Sequence, residues 1–214
     1  MQLNSLIRRF LLPFALTAGI LFLPLAQAQN ATGHYTLDDV QPSETFGKIE
    51  VLEFFAYTCP HCKTMEPMVE EWSSTLLGDV SFQRVPVAFN ANMADLQKLY
   101  YTLENMDRLD LHSEVFKAIH DQNQRIFNEK AIIDWAADQD LDTQHFADVF
   151  RSFGIQARVA RANELIQNYR IESTPSIAVG GRYVTSPALA NGYRASLEEA
   201  NRLIDLTREQ GGQP

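Results

Sequence analysis

Residues 48–57 (KIEVLEFFAY) form a near-continuous run of apolar, β-branched and aromatic side chains. A strand with so little alternation is covered on both faces, so the run predicts a central strand of a parallel or mixed sheet. Residues 58–61 then turn the chain. Over residues 62–77 the side chains of Met65, Met68, Val69, Trp72 and Leu76 recur at helical spacing. Pro67 lies inside this helix and is expected to kink it. Gly78-Asp79 ends it, and residues 80–89 (VSFQRVPVAF) read as a second strand.

The rest of the chain follows the same logic. Residues 29–47 are polar and turn-rich and read as an irregular lead-in. From residue 92 to about 170 the period is helical throughout, with segments expected at 93–106, 112–122, 129–139, 143–153 and 157–169. Asn128, and Asp142 or Thr143, fit helix starts, and Gly154 fits a helix end. Residues 176–179 and 182–185 read as two short strands joined by a Gly180-Gly181 hairpin turn. A final helix is expected over 196–209. The order is β-α-β, a long helical block, then β-β-α. A block of that length exceeds what a simple crossover needs. The expected organisation is therefore an α/β core in two parts, residues 29–91 and 171–214, interrupted by an all-helical subdomain at 92–170.

The first 28 residues are a separate object. Arg8 and Arg9 precede an apolar run that ends in Ala26-Gln27-Ala28, the pattern of a cleaved secretory signal peptide. An uncleaved anchor is the alternative, but Pro13, Gly19 and Pro24 interrupt the run. Export places the protein in an oxidising compartment. The chain carries a net charge of −9, and losing residues 1–28 with their two arginines makes it −11. Such a surface is unsuited to nucleic acid, whose phosphates need clustered Lys and Arg.

Only two cysteines are present, and Cys59-Pro60-His61-Cys62 lies where the buried strand hands over to a helix. As a staple the pair would be nearly useless, since cross-link stabilisation grows with the loop closed and this loop is minimal. Zinc would need two more ligands, and His34, His112, His120 and His145 are scattered without ligand spacing. The last three read as exposed helix residues. A redox pair is the chemistry that fits. Cys-x-x-Cys beside a βαβ pattern is a thioredoxin-like signature. The attacking species is a thiolate, and a helix N-terminus stabilises it with unpaired N–H groups and the positive end of the dipole. Pro60 sits in the first turn, where its missing N–H is harmless. His61 can add charge and a donor nearby. Cys62, further into the helix, is expected to be more buried and to resolve mixed disulfides.

Glu53 stands in the middle of the buried run, which is unfavourable unless it is paired or protonated; the bland alternative is an edge-facing or solvent-facing position. Phe54, Phe55, Trp72 and Trp135 read as core.

The segment Phe54-Phe55-Ala56-Tyr57-Thr58-Cys59-Pro60-His61-Cys62 resembles the active-site segment of the DsbA family, bacterial periplasmic dithiol oxidases that usually carry this Pro-His dipeptide. The resemblance implies a thioredoxin-like fold with an inserted helical subdomain. It also implies that Thr174-Pro175 is the cis-proline loop, packed beside the disulfide and offering backbone hydrogen bonds to substrate. Glu53 corresponds to a buried acid that relays protons to or from Cys62, often paired with a Lys for which Arg84 stands here. Strong acidity of the first cysteine belongs to the same inheritance. Implied partners are reduced, unfolded exported proteins and a DsbB-like membrane quinone reductase. No cofactor beyond the Cys59–Cys62 disulfide is implied, and a monomer is the default. Two rivals stay open: the same fold run as an isomerase or reductant, and a non-catalytic binding module with incidental cysteines.

Overall fold

A computed structural model describes residues 33–212; the proposed signal peptide and its cleavage site lie outside the described residues. The chain forms strands β1 (His34–Thr36), β2 (Ile49–Phe55), β3 (Val80–Pro86), β4 (Ser176–Val179) and β5 (Tyr183–Thr185) in one mixed sheet of order β1-β5-β4-β2-β3. β2 pairs parallel with β3 and antiparallel with β4. All seven of its residues are buried, as the unbroken apolar run requires.

The alternation along β2 divides the core. Ile49 and Val51 join Met65, Val69 and Trp72 of α1 (Pro60–Ser74) and Leu197, Leu203 and Ile204 of α8 (Tyr193–Glu209). Leu52 and Phe54 face the larger cluster, which gathers Leu99 from α2 (Ala94–Asn105), Phe116 from α3 (His112–His120) and Ile132 from α4 (Glu129–Asp138). Phe146 of α5 (Thr143–Phe150) and Leu165 of α6 (Phe153–Asn168) complete it. Helices thus cover both faces of the sheet, giving an α/β fold whose helical stretch between β3 and β4 is the insertion the sequence pattern anticipates. Among the described residues no helix is long and apolar enough to cross a membrane.

The differences from the sequence reading are local. The lead-in holds β1, three residues paired antiparallel with β5, too short to carry a periodic signal. A one-turn helix α7 (Pro187–Ala190) precedes α8; Ser186 caps it by accepting from Leu189 N–H, with Pro187 in its first turn. α6 begins at Phe153 rather than near Ala157, because the Ser152 hydroxyl accepts from Ile155 N–H. Gly154 therefore lies inside a helix and does not end one. Asn128 and Asp142 cap α4 and α5 as expected.

The β4–β5 turn depends on glycine. Gly180 has φ +62, and a Cβ there would stand 2.6 Å from Oγ1 of Thr207. Gly180→Ala is expected to destabilise the protein by about 2 kcal/mol through strain and overlap together. Urea unfolding measures it, and an unchanged midpoint would refute the requirement.

Candidate active site

The end of β2 delivers Cys59 to the start of α1. Cys59 is the N-cap residue, with φ −88 and ψ 116, and Pro60 occupies the first turn. Cys62 follows on the inner face, only 1% exposed, while Cys59 is half-buried. Both are free thiols in this structure. The Thr174-Pro175 bond is cis, and the Thr174 carbonyl accepts a 3.3 Å hydrogen bond from the Cys59 thiol. The two segments that the sequence singled out, 115 positions apart, thus meet at one sulfur.

The two thiols are electrostatically unlike. Cys59 is pulled down to about 5, chiefly by a hydrogen bond from the Cys62 thiol. Partial burial opposes this, while Thr174 and the backbone N–H groups of Cys62 and His61 add to it. Those N–H groups are unpaired donors at a helix start, where an anion is favoured. Cys62 moves upward, first because burial penalises its charged form and then because Cys59 is already the anion.

Pro60 and His61 are exposed at the rim. The His61 ring turns to Tyr193, the first residue of α8, whose hydroxyl lies 2.6 Å from Nδ1. A cavity of about 370 Å³ beside them is lined by His61, Thr174, Pro175, Pro187 and Tyr193 among others.

Beneath the motif, Glu53 is 1% exposed, which removes the edge-facing and solvent-facing alternatives. Its register partner on β3 is Arg84, and Arg84 Nε donates to Glu53 Oε2 at 3.1 Å. The same guanidinium binds Glu66 at 3.0 Å and Glu70 at 2.9 Å. Three carboxylates share one fixed cation, so the most deeply buried of them is the one to keep a proton. Burial pushes Glu53 up to about 8 against the pull of Arg84. Burial also disfavours the Glu66 charge, but the hydrogen bond and charge of His112, with Arg84, hold its carboxyl below the usual range.

His112 corrects an expectation. It is buried, at 4% exposure, not an exposed helix residue. Its Nδ1 is 2.7 Å from the Tyr57 hydroxyl and its Nε2 is 3.3 Å from Glu66 Oε2. The cause is the α3 stripe His112-Val115-Phe116, which turns inward onto Phe55 and Tyr57. His120 is half-buried and donates to the Tyr57 carbonyl at 2.8 Å, whereas His145 is exposed as anticipated. Glu66, His112 and Tyr193 are site neighbours that the sequence reading missed. Among the described residues no cluster of three or more His, Cys, Asp or Glu has the arrangement to hold a metal ion.

Known proteins share this architecture. A thioredoxin family model matches residues 45–199. The thiol:disulfide interchange protein DsbA of Bordetella parapertussis is 50% identical over 202 residues, spanning 94% of this chain and 97% of that protein. Its namesake in Pseudomonas aeruginosa is 32% identical over 205 residues, at 94% and 97% coverage. The crystal structure of Pseudomonas aeruginosa DsbA superposes with a TM-score of 0.81 at 32% identity, covering 84% of this chain and 94% of that one. Reduced DsbA1 from Neisseria meningitidis gives 0.73 at 27% identity, with 87% and 96% covered.

Two measurements test the electrostatics. Following thiolate ultraviolet absorbance against pH, Cys59 should titrate near 5, and Cys62→Ala should move that midpoint up by about one unit or more. A midpoint that ignores the substitution would remove the thiol–thiolate hydrogen bond as the main cause. For Glu53 the folded carboxyl binds its proton more tightly than the unfolded one. Its stabilising effect is full below the unfolded value and fades as pH rises toward about 8. Glu53→Gln should therefore gain stability relative to the parent between about pH 5 and about pH 9, by on the order of 2 kcal/mol in urea unfolding. A parent that instead gains on the variant with rising pH would show that Glu53 is stably ionised.

Proposed function

The chain belongs to the DsbA family of thiol:disulfide interchange proteins and is a thiol:disulfide oxidoreductase, and from that premise we propose that it works as an exported dithiol oxidase. In this reading the Cys59–Cys62 disulfide passes to reduced, unfolded exported proteins. A substrate thiolate attacks the Cys59 sulfur, forming a mixed disulfide and expelling Cys62, which takes up a proton. A second substrate thiolate attacks the substrate sulfur of that mixed disulfide. The substrate leaves oxidised and Cys59 leaves as a thiolate. Both electrons then sit on the Cys59–Cys62 dithiol, and a membrane quinone reductase of the DsbB kind removes them.

The observation that carries the direction of flow is the contrast between the two sulfurs. An anion held at a helix start stabilises the reduced form in a way that the disulfide cannot share, so the bridged state is the oxidising one. A low-pKa Cys59 is also a good leaving group in the second step. Cys62, whose anion burial disfavours, needs a proton on departure, and Glu53, protonated on the strand that leads into the motif, is the proposed donor. Arg84 keeps its own proton throughout and holds the acid in place. Thr174 and cis-Pro175 supply the substrate-side backbone. The proposed location is the periplasm, reached through a signal peptide at residues 1–28. The proposed working form is a monomer with no cofactor beyond its own disulfide.

An isomerase or reductant would share the motif but not the poise. Equilibrated with reduced and oxidised glutathione, this protein should stay largely reduced where a thioredoxin-like reductant is fully oxidised. Full oxidation under those conditions would reverse the assignment. Cys59→Ser should bring dithiol-peptide oxidation and insulin reduction down to their uncatalysed rates. Retained turnover would mean that Cys59 is not the attacked sulfur.

A further inference from the structure

β2 hands over to α1 through a tight turn: Cys59 N–H donates to the Ala56 carbonyl at 2.9 Å, with Tyr57 and Thr58 between them. A four-residue turn pairs its outer peptide groups and leaves the central carbonyl to find a partner elsewhere. Here the central carbonyl is that of Tyr57, and a partner comes from 63 positions away: His120 Nε2 donates to it at 2.8 Å. Nε2 carries a hydrogen in either charge state of the ring, because a carbonyl can only accept. The same helix takes the other end of Tyr57. His112, at the start of α3, has its Nδ1 2.7 Å from the Tyr57 hydroxyl. Phe116, one turn on, meets the Tyr57 ring with 5.1 Å between centroids and stacks on His120 at 6.2 Å and 26°. Lys63 of α1 pairs with Asp121, the residue that ends α3. α3 therefore grips the residue two places before Cys59 by backbone, ring and hydroxyl.

We infer that His120 is a positioning residue for Cys59: its hydrogen bond fixes the Tyr57–Thr58 peptide, and through it the place of the Cys59 sulfur at the start of α1. The inference rests on the oxidase reading above and deepens it, by assigning part of the redox poise to the helical subdomain. The bond matters unequally in the two redox states. In the disulfide a covalent bridge to Cys62 holds residue 59 against α1 whatever the turn does. Once the bridge opens, only non-covalent contacts keep the sulfur where the N–H groups of the helix start converge. A loose turn would let the sulfur wander from those donors, and ordering it again costs conformational entropy. His120 removes that freedom in advance by joining the turn to a helix whose Val115 and Phe116 are packed in the larger core. It therefore favours the dithiol over the disulfide.

The test uses the full mature protein. His120→Phe keeps a ring to stack on Phe116 and deletes the donor, His120→Ala deletes both, and His120→Gln offers an amide N–H at a similar reach. In glutathione buffers His120→Phe and His120→Ala should shift about five-fold toward the oxidised form, the effect of one hydrogen bond. Their Cys59 thiolate midpoints should rise by about 0.7, the same factor. His120→Gln should stay within about two-fold of the parent equilibrium and about 0.3 of its midpoint. Lower urea midpoints for His120→Phe and His120→Ala, with both redox readings unchanged, would overturn the inference and leave His120 a packing contact. A His120→Gln protein displaced as far as His120→Ala would overturn it too, since the donor would not be the cause. A parent fully oxidised in the same buffers would instead bring down the oxidase reading itself, and the thiolate midpoints of the three variants would still decide the role of His120.

Discussion

The sulfur of Cys59 lies at the junction on which the rest of the arrangement depends. A helix start offers donors that nothing in the backbone can satisfy, and here they are aimed at a side chain able to become an anion. Holding it there takes three pieces of chain. β2 must be buried on both faces to deliver residue 59 rigidly, Pro60 must begin the helix without wasting a donor, and the cis loop must close beside the sulfur, where the Thr174 carbonyl accepts from the thiol form at 3.3 Å. The sheet order supplies the last of these, because β4, which follows the loop, pairs directly with β2. The antiparallel register of the two strands brings the cis loop and the motif to the same end of the sheet.

Beneath that junction the electrostatics are a competition for one cation. Arg84 meets Glu53, Glu66 and Glu70, and a guanidinium cannot lose its proton to settle the imbalance. A lysine could respond by shifting its own ionisation; arginine forces the adjustment onto the acids. Position then decides. Glu70 reaches solvent, Glu66 has His112 as a second partner, and Glu53 has only burial and its share of Arg84. The acid on the buried strand that leads into the motif is therefore the one whose proton is held most tightly.

The sequence exposed the parts of this site that are local and concealed those that are not. Cys59-Pro60-His61-Cys62 announced itself because four adjacent residues carry the chemistry, and Glu53 because a carboxylate in an apolar run is conspicuous. The helical stretch between β3 and β4 was legible from its sustained period, and the Asn128 and Asp142 caps from residue type. β1 and α7 escaped because three and four residues carry no period. His112 looked like a surface residue by type. Its neighbours Val115 and Phe116 lie on the same helical face, so the spacing, had it been weighed above residue type, pointed inward. Tyr193 gave no sign at all, since its partner is 132 positions away and only the turn at Asn191-Gly192 brings it near.

These two layers explain why two cysteines three positions apart behave so differently. The outer sulfur is held down chiefly by the hydrogen bond from the Cys62 thiol, to which the backbone N–H groups of Cys62 and His61 add, so its acidity depends on the inner sulfur as well as on the helix start. The inner one faces burial and a neighbouring anion, and both disfavour its charged form. Separating the two roles needs a helix start at one sulfur and a sealed interior at the other. A single turn of helix emerging from a buried strand provides both, and the Arg84 pairs with Glu53 and Glu66 satisfy the charges buried beside that strand.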